Sequence, residues 1–453
     1  MKNPFLLPAL ITGLALMPVC STTAQTFTLL KSFSASSDGF NPGGGLTLSA
    51  GMLYGVNGGG GLSNRGTIFK LSTNGTGFNV IHHFVGGSDG EYPIGRVVVS
   101  GNTIYGVKYQ GGIITGGDGS QGGGTIYRVN TDGSDYSILR RLDATAGDGI
   151  KPASGMVLSG GTLYGTTIGG GASDRGTVFK INTNGSGYQN LHLFDYVNGA
   201  QPEAELTLIG STLYGTTAFT QLGTRSGPLF KIGLDGTGFT VLYTFPQTFS
   251  VLGAGRLTLV GNQFYGVGTS YQNNETLSSI YKINTNGSGF QIISQLPSGY
   301  RISGPLTWTG SELLGREAWG GSDIFERIFQ IKTNGTGYHV LKTLDGSGVT
   351  SSEGDFALSG TTVYGGALYR GEFNGGIVYS FDVRPRLAIA AVGGGVKISW
   401  PSYAQDYQLE QNPTLVFSGW TNVTTTPASD GTNWMITLPT LTTTNRMFHR
   451  LRR

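Results

Sequence analysis

At 453 residues with 38% apolar and 11% aromatic side chains, the chain has the material for packed cores in spite of its 78 glycines, which argues against a disordered coil. Its formal net charge is only +3 and charged residues make up 12% of it, a balance that offers no electrostatic footprint for nucleic acid or an anionic membrane. The length exceeds what a single compact core serves, and two domains are expected.

Met1-Lys2-Asn3-Pro4 leads into an apolar run from Phe5 to Val19, too short and too interrupted by Pro8 and Pro18 for a membrane span. Thr22-Thr23-Ala24 then offers a small-residue cleavage site. Residues 1–24 read as a secretory signal, which implies a secreted, cell-surface or periplasmic protein. The rival is a lipoprotein signal acylated at Cys20, but Met17-Pro18-Val19 lacks the small residue that such a site carries before its cysteine. Cys20 is the one cysteine of the sequence, so cleavage after Ala24 leaves a chain with no disulfides. Beyond the signal no apolar run approaches the ~20 residues of a transmembrane helix.

From residue 25 the sequence repeats. Leu53-Tyr54-Gly55, Ile104-Tyr105-Gly106, Leu163-Tyr164-Gly165, Leu213-Tyr214-Gly215, Phe264-Tyr265-Gly266, Leu313-Leu314-Gly315 and Val363-Tyr364-Gly365 follow one another at roughly fifty-residue spacing. Each copy reads as four short strands. In the first, Leu46 to Ser49 (A) turns into Met52 to Val56 (B), a glycine-rich loop leads to Thr67 to Leu71 (C), and Thr73-Asn74-Gly75-Thr76-Gly77 delivers Phe78 to Phe84 (D). The Asn-Gly pair between apolar runs predicts a tight hairpin whose two central residues both have positive φ. It returns at Asn184-Gly185, Asn286-Gly287 and Asn334-Gly335, and as Asp132-Gly133 and Asp235-Gly236.

Strand C occurs seven times but only six D strands follow one, because Tyr379-Ser380-Phe381-Asp382 runs into Arg384-Pro385. The missing strand is at the other end, where Phe27 to Phe33 matches Phe78 to Phe84 position for position. Units of four strands with this offset predict an all-β fold: a seven-bladed β-propeller over residues 25–384, closed by the N-terminal strand. An open β-solenoid is the alternative, and it would need no such phase shift.

The unit resembles GloVer, a glycine-rich tandem repeat of exported bacterial proteins. The marks are the Leu-Tyr-Gly strand, the glycine loop, Gly-Thr-Val-Phe-Lys (Gly176 to Lys180) and Asn-Gly-Ser-Gly-Tyr (Asn184 to Tyr188), over about residues 26 to 382. The resemblance implies an exported, propeller-like bacterial protein and brings no catalytic residues with it. Units of this length are also similar to kelch, whose typical tryptophan most units here lack.

From Pro385 the repeat stops. Six short strand-like segments, with turns at Gly393-Gly394-Gly395 and Asp430-Gly431, predict a small immunoglobulin- or fibronectin-like β-sandwich over residues 385–453. Val396 to Pro401, Tyr407 to Glu410 and Phe448 to Leu451 resemble a C-terminal domain of exported Verrucomicrobia proteins. Trp400, Trp420 and Trp434 read as its core, with a sugar platform as the rival.

The A-to-B and C-to-D turns are short and uniform and share one face. The D-to-A and B-to-C loops share the other, and their unequal lengths mark it as the binding face. Its longest insertion is Lys108 to Gly124. Tyr92, Tyr109, Tyr196, Tyr271, Tyr300, Trp319 and Tyr369 fall there and suit stacking on sugar rings or apolar groups, although packing beneath the loops explains each singly. Asp38, Asp89, Asp148 and Asn198 each open an Asp-Gly or Asn-Gly with a proline four residues on; turns explain them better than calcium. No histidine pair has metal-ligand spacing, and no paired carboxylates, nucleophile elbow or phosphate loop occurs, so no metal, cofactor or catalytic residue is assigned. Asn74-Gly75-Thr76 matches a glycosylation acceptor, but its return at the same turn favours a structural role. The sequence thus predicts an exported, monomeric binding or surface-interaction module with polysaccharide or a cell-surface component as candidate partner. The rival of a different class is a polysaccharide lyase or hydrolase with a site built from scattered loop residues.

Overall fold

The computed structural model describes residues 27–34, 37–112, 122–220, 223–251, 256–272, 275–319, 325–345 and 354–385, and in the C-terminal part 387–393, 395–401, 404, 407–413, 420–431, 433–439 and 447–452. The proposed signal, Cys20 and most of the insertion after Lys108 lie outside the described residues. The chain divides into one compact unit over Phe27–Val383 and a second that holds Arg384–Arg453. The fold is all-β, and its sheets are antiparallel.

Each repeat forms one sheet with its strands in the order A-B-C-D. The first is Thr47–Ser49, Met52–Asn57, Thr67–Ser72 and Asn79–His83, and the second Glu91–Ser100, Thr103–Gln110, Thr125–Asn130 and Ser137–Arg141. The third is Val157–Ser159, Thr162–Thr167, Thr177–Asn182 and Gln189–Leu193, and the fourth Thr207–Ile209, Thr212–Thr216, Leu229–Gly233 and Thr240–Tyr243. The fifth pairs Thr258–Val260 and Phe249–Val251 with one long strand B, Gln263–Gln272, followed by Glu275–Asn284 and Gln291–Gln295. The sixth is Tyr300–Trp308, Leu313–Trp319, Phe325–Ile331 and His339–Asp345. The seventh has Ala357–Ser359, Thr362–Ala367 and Ile377–Asp382, and its fourth strand is Thr28–Ser32 from the N-terminus.

That last pairing copies the internal ones. Thr28 faces Ser380, Leu29 faces Tyr379 and Lys31 faces Val378, with a bulge between Leu29 and Lys31. In the first unit Asn79 faces Lys70, Val80 faces Phe69 and His82 faces Ile68, with the bulge at the same step.

The recurrent tripeptide has a steric cause. Its glycine lies on strand B directly opposite the aromatic residue of strand C: Gly55 opposite Phe69, Gly106 opposite Tyr127, Gly165 opposite Phe179, Gly215 opposite Phe230, Gly266 opposite Tyr281, Gly315 opposite Phe329 and Gly365 opposite Tyr379. A Cβ at position 55 would stand 2.5 Å from Phe69 Cζ, and one at position 106 would stand 2.2 Å from Tyr127 Oη. All seven rings are buried, each worth about 1.5–3 kcal/mol of transfer free energy. The missing side chain is the condition for that burial.

Both faces of strands B and C are covered, because the cores lie between successive sheets. Tyr105, Val107 and Ile126 of the second unit pack with Met156, Leu163 and Phe179 of the third. A core of the same kind joins Leu46, Leu53 and Phe69 of the first unit and Phe33 to Ala357, Tyr364 and Val378 of the last. A second device ties neighbours together: the fourth residue of a D strand stacks on the aromatic residue at the start of the next. His82 lies on Tyr136 at 3.8 Å, His192 on Phe239 at 3.5 Å and Tyr243 on Phe290 at 5.2 Å. Lys31 covers Phe78 at 4.2 Å, the Arg140 guanidinium covers Tyr188 at 4.5 Å, and Lys342 reaches Phe27 at 5.4 Å.

The Asn-Gly turns depart from the expected hairpin. Positive φ occurs at Gly75 but not at Asn74, and the bonds Gly75 N to Ser72 O and Ser72 N to Thr76 O make this a right-handed turn closed by a left-handed glycine. The reason is the asparagine side chain. Asn74 Oδ1 accepts from Thr76 N at 3.0 Å and Thr76 Oγ1 at 2.7 Å, and the same pair of bonds recurs on Asp132, Asn184, Asp235, Asn286 and Asn334.

The C-terminal unit has a four-stranded sheet, Ala388–Val392, Gly395–Pro401, Asn433–Pro439 and Ala428–Ser429, and a three-stranded one, Thr421–Asn422, Gln408–Asn412 and Phe448–Arg452. Ile398, Trp400, Leu409 and Ile436 form its core, with Trp434 packed against it. Trp420 instead lies under the Arg450 guanidinium at 4.2 Å.

Candidate functional site

The residue just before the apolar start of strand A is Gly45, Arg96, Gly155, Glu205, Arg256, Pro305 and Asp355 in the seven units. Four of these positions are charged, alternating in sign along the chain. The structure brings the four together. Arg96 Nη2 donates to Glu205 Oε1 at 2.8 Å and Arg96 Nη1 lies 3.5 Å from Asp355 Oδ2. Arg256 Nη2 donates to Asp355 Oδ2 at 2.8 Å and Arg256 Nη1 lies 3.8 Å from Glu205 Oε1. Each cation thus touches both anions. The Glu205 charge, then that of Asp355, raises Arg96 further above its ordinary pKa.

The uncharged members of the column make room. A Cβ on Gly155 would stand 2.7 Å from Glu205 Oε2, and one on Gly45 would stand 2.8 Å from Asp355 Oδ1. The carboxylates occupy the space that side chains would take in those units.

Above this quartet, on the face of the D-to-A and B-to-C loops, lies a cavity of about 360 Å³ to which all seven units contribute. Its walls are short side chains and bare backbone, Gly43, Gly44, Gly95, Ala153 and Gly354 among them, with Glu203 at its edge. A second cavity of about 470 Å³ lies between the A strands. Arg96 and Arg256 line both, while Glu205 and Asp355 line the upper one, so the two guanidinium groups lie between the cavities and the carboxylates hold them from above. Paired guanidinium and carboxylate groups in such a place offer donors and acceptors side by side.

The seven aromatic candidates do not all lie on loops. Tyr92, Tyr109, Tyr271, Tyr300 and Trp319 sit at strand ends, because strand B of units two, five and six, and strand A of units two and six, run further toward that face than in the other units. Tyr196 and Tyr369 do lie between strands. Tyr92 (43%) and Tyr271 (55%) are exposed, and the others are half-buried. Tyr369 Oη accepts from Asn41 Nδ2 at 3.2 Å, which braces the cavity wall. Tyr196 is covered by the Arg175 guanidinium at 4.4 Å. Tyr300 and Trp319 are directly opposed across strands. Phe325, which the sequence did not single out, completes that group: it stacks on Trp319 at 5.9 Å under the Arg327 guanidinium.

Leu62, Val85, Tyr92, Val197, Tyr271 and Phe373 are exposed on the loop face, whereas Leu29, Leu193 and Val241 are exposed on D strands and Tyr338 in a C-to-D connection.

Unit six departs from the repeat beneath this face. Arg316 stands where the other units have Val, Thr or Gly, Glu317 stands at the position of Asn57 and Lys108, and both side chains are buried, as is Glu326. Arg316 Nε lies 3.8 Å from Glu326 and Arg327 Nη1 lies 3.5 Å from Glu317. Burial raises the pKa of both carboxyls. In unit two, burial brings Lys108 down to about 8, although its ammonium donates to Asp89 at 2.9 Å and to Tyr136 Oη at 2.7 Å.

The loop aspartates are engaged locally. Asp38 pairs with Lys31 at 2.7 Å, Asp89 with Lys108, and Asp148 with Arg140 at 2.7 Å.

Residues 113–278 match the family model described as the Gloeobacter/Verrucomicrobia repeat, which supports the repeat identity read from its motifs. No curated protein matches the chain. Among solved structures the backbone is similar to an ulvan lyase of a polysaccharide lyase family, with 10% identity, a TM-score of 0.49, and 81% of this chain and 92% of that one covered. It is also similar to an oligogalacturonate lyase from Vibrio parahaemolyticus, with 11% identity, a TM-score of 0.47, and 80% and 98% covered. A chain of a nidogen/laminin complex follows, with 16% identity, a TM-score of 0.36, and 56% and 78% covered.

Proposed function

We propose that the chain is an exported binding module: a signal over residues 1–24, a closed seven-bladed propeller over 25–384 and a β-sandwich over 385–453, with carbohydrate taken on the loop face. Closure is supported by the copied register of the N-terminal strand and by the core shared between first and last units. The observation that carries the binding reading is that the cavity of about 360 Å³ opens on the face where six of the exposed apolar side chains, Tyr92 and Tyr271 among them, also lie. Concentration of apolar surface around a concave polar site is the usual sign of recognition. The test is retention of the mature protein on immobilised polysaccharides, followed by Tyr92→Ala and Tyr271→Ala. Loss of retention in these variants with unchanged melting supports the assignment, and unchanged retention rejects it.

The convergence of Glu205 and Asp355 on one cavity favours a second reading, a polysaccharide lyase or hydrolase. Against it, both carboxylates are held by guanidinium groups, which keeps them from serving as free acid or base. Release of unsaturated or reducing ends from the retained polymer would establish that reading.

A further inference from the structure

We propose that the loop-face cavity is a blind socket for the end of an uncharged, hydroxyl-rich chain, a neutral oligosaccharide in chemical class; this rests on the carbohydrate reading above. Arg96 and Arg256, cross-braced by four ion pairs to Glu205 and Asp355, lie between the upper and the lower cavity. A polymer therefore enters with its terminus and does not thread through.

Arg96 and Arg256 are satisfied by Glu205 and Asp355, and Glu203 adds a third carboxylate at the edge, so an incoming carboxylate or sulfate would meet cations already paired and a further like charge. A vicinal diol has no such cost. Its hydroxyls take hydrogen bonds from guanidinium N–H groups and give them to the neighbouring carboxylate oxygens. Arg96 and Arg256 both line the cavity and both keep part of their side chains exposed, 28% and 27%. The glycine walls let a sugar ring approach the backbone itself.

The experiment uses the mature full chain on an array of neutral, uronate-bearing and sulfated oligosaccharides, followed by titration of the retained class as a series of chain lengths. Retention of neutral sugars, with a molar affinity that stays within about twofold from short to long chains, is expected for an end-binding site. Preference for uronates or sulfates overturns the proposal, as does affinity that climbs with length because interior residues bind. Ala153→Trp, which fills the cavity from its wall and leaves all four charged residues in the chain, should weaken binding about tenfold or more. Arg256→Met should do the same if the tryptophan variant fails to fold. If Ala153→Trp binds normally while Tyr92→Ala and Tyr271→Ala do not, the ligand lies on the rim, and the socket fails while the carbohydrate reading stands. Retention of no carbohydrate at all overturns both.

Discussion

Arg96 and Glu205 are 109 positions apart in sequence, yet the guanidinium donates to the carboxylate at 2.8 Å across the one intervening unit, whose corresponding residue is Gly155. The contact belongs to a closed set of four, so its removal is felt by the other three. Glu205→Ala leaves two guanidiniums facing Asp355 alone, and stability should fall by about 2–3 kcal/mol. This lies below the usual ~3–5 for a fully buried pair because both arginines keep some exposure to water. Urea unfolding checks it. Combining Glu205→Ala with Arg96→Ala should cost less than the sum of the two single changes, since they share one interaction.

The glycine of the repeated tripeptide gives a sharper steric prediction. Gly106→Ala drives a Cβ into Tyr127 Oη and should cost about 1–3 kcal/mol by overpacking, which Tyr127→Leu should partly restore. Gly51→Ala, with φ of +75° and nothing within 4 Å, serves as the comparison, and only the backbone term of about 1 kcal/mol applies there.

Stability should also fall in mild acid. Burial lowers the pKa of His82, stacked on Tyr136, to about 4, and lowers that of His192, stacked on Phe239. An unfolded histidine titrates near ~6.5, so between about pH 6.5 and 4 the unfolded chain binds more protons than the folded one and stability drops as pH falls. Below about pH 4 the His82 contribution is flat. Melting temperatures across this range should show a shallower decline in His82→Phe and His192→Phe than in the unaltered chain.

Removal of Thr26 to Phe33 should expose the edge of Ile377–Asp382 and uncover the core that Phe33 shares with Phe69 and Val378. The loss of several such residues at ~1.5–3 kcal/mol each rivals the entire ~5–15 kcal/mol margin of a domain. Removal of residues 385–453 should leave melting of the repeat unit unchanged. Calorimetry of the two truncations decides it, and an unchanged melting temperature after loss of the N-terminal strand would favour an open solenoid.

Period and pattern made the sheets legible, because one steric device, a glycine beneath an aromatic ring, is repeated in every unit and leaves its mark as Leu-Tyr-Gly. The offset of the N-terminal strand was legible for the same reason: Phe27 to Phe33 must fit the partners that Phe78 to Phe84 fits. The turn conformation was not, since Asn-Gly alone does not reveal that Asn74 Oδ1 is taken by Thr76. Nor was the charged quartet. Arg96, Glu205, Arg256 and Asp355 stand alone in their own stretches of sequence, and only the column formed by aligning the residue before each strand A brings them into one line. Phe325 was missed because it belongs to the elongated hairpin of unit six, which the repeat period does not predict.

The central claim is that the loop face binds and the turn face does not. Its most direct test is retention on a carbohydrate matrix of the unaltered protein beside a Tyr92→Ala/Tyr271→Ala variant and a Ser100→Ala/Ser159→Ala variant, each checked for native melting. Retention lost in the tyrosine variant and kept in the serine variant is the predicted result. Equal retention by both, or equal loss, would contradict the assignment.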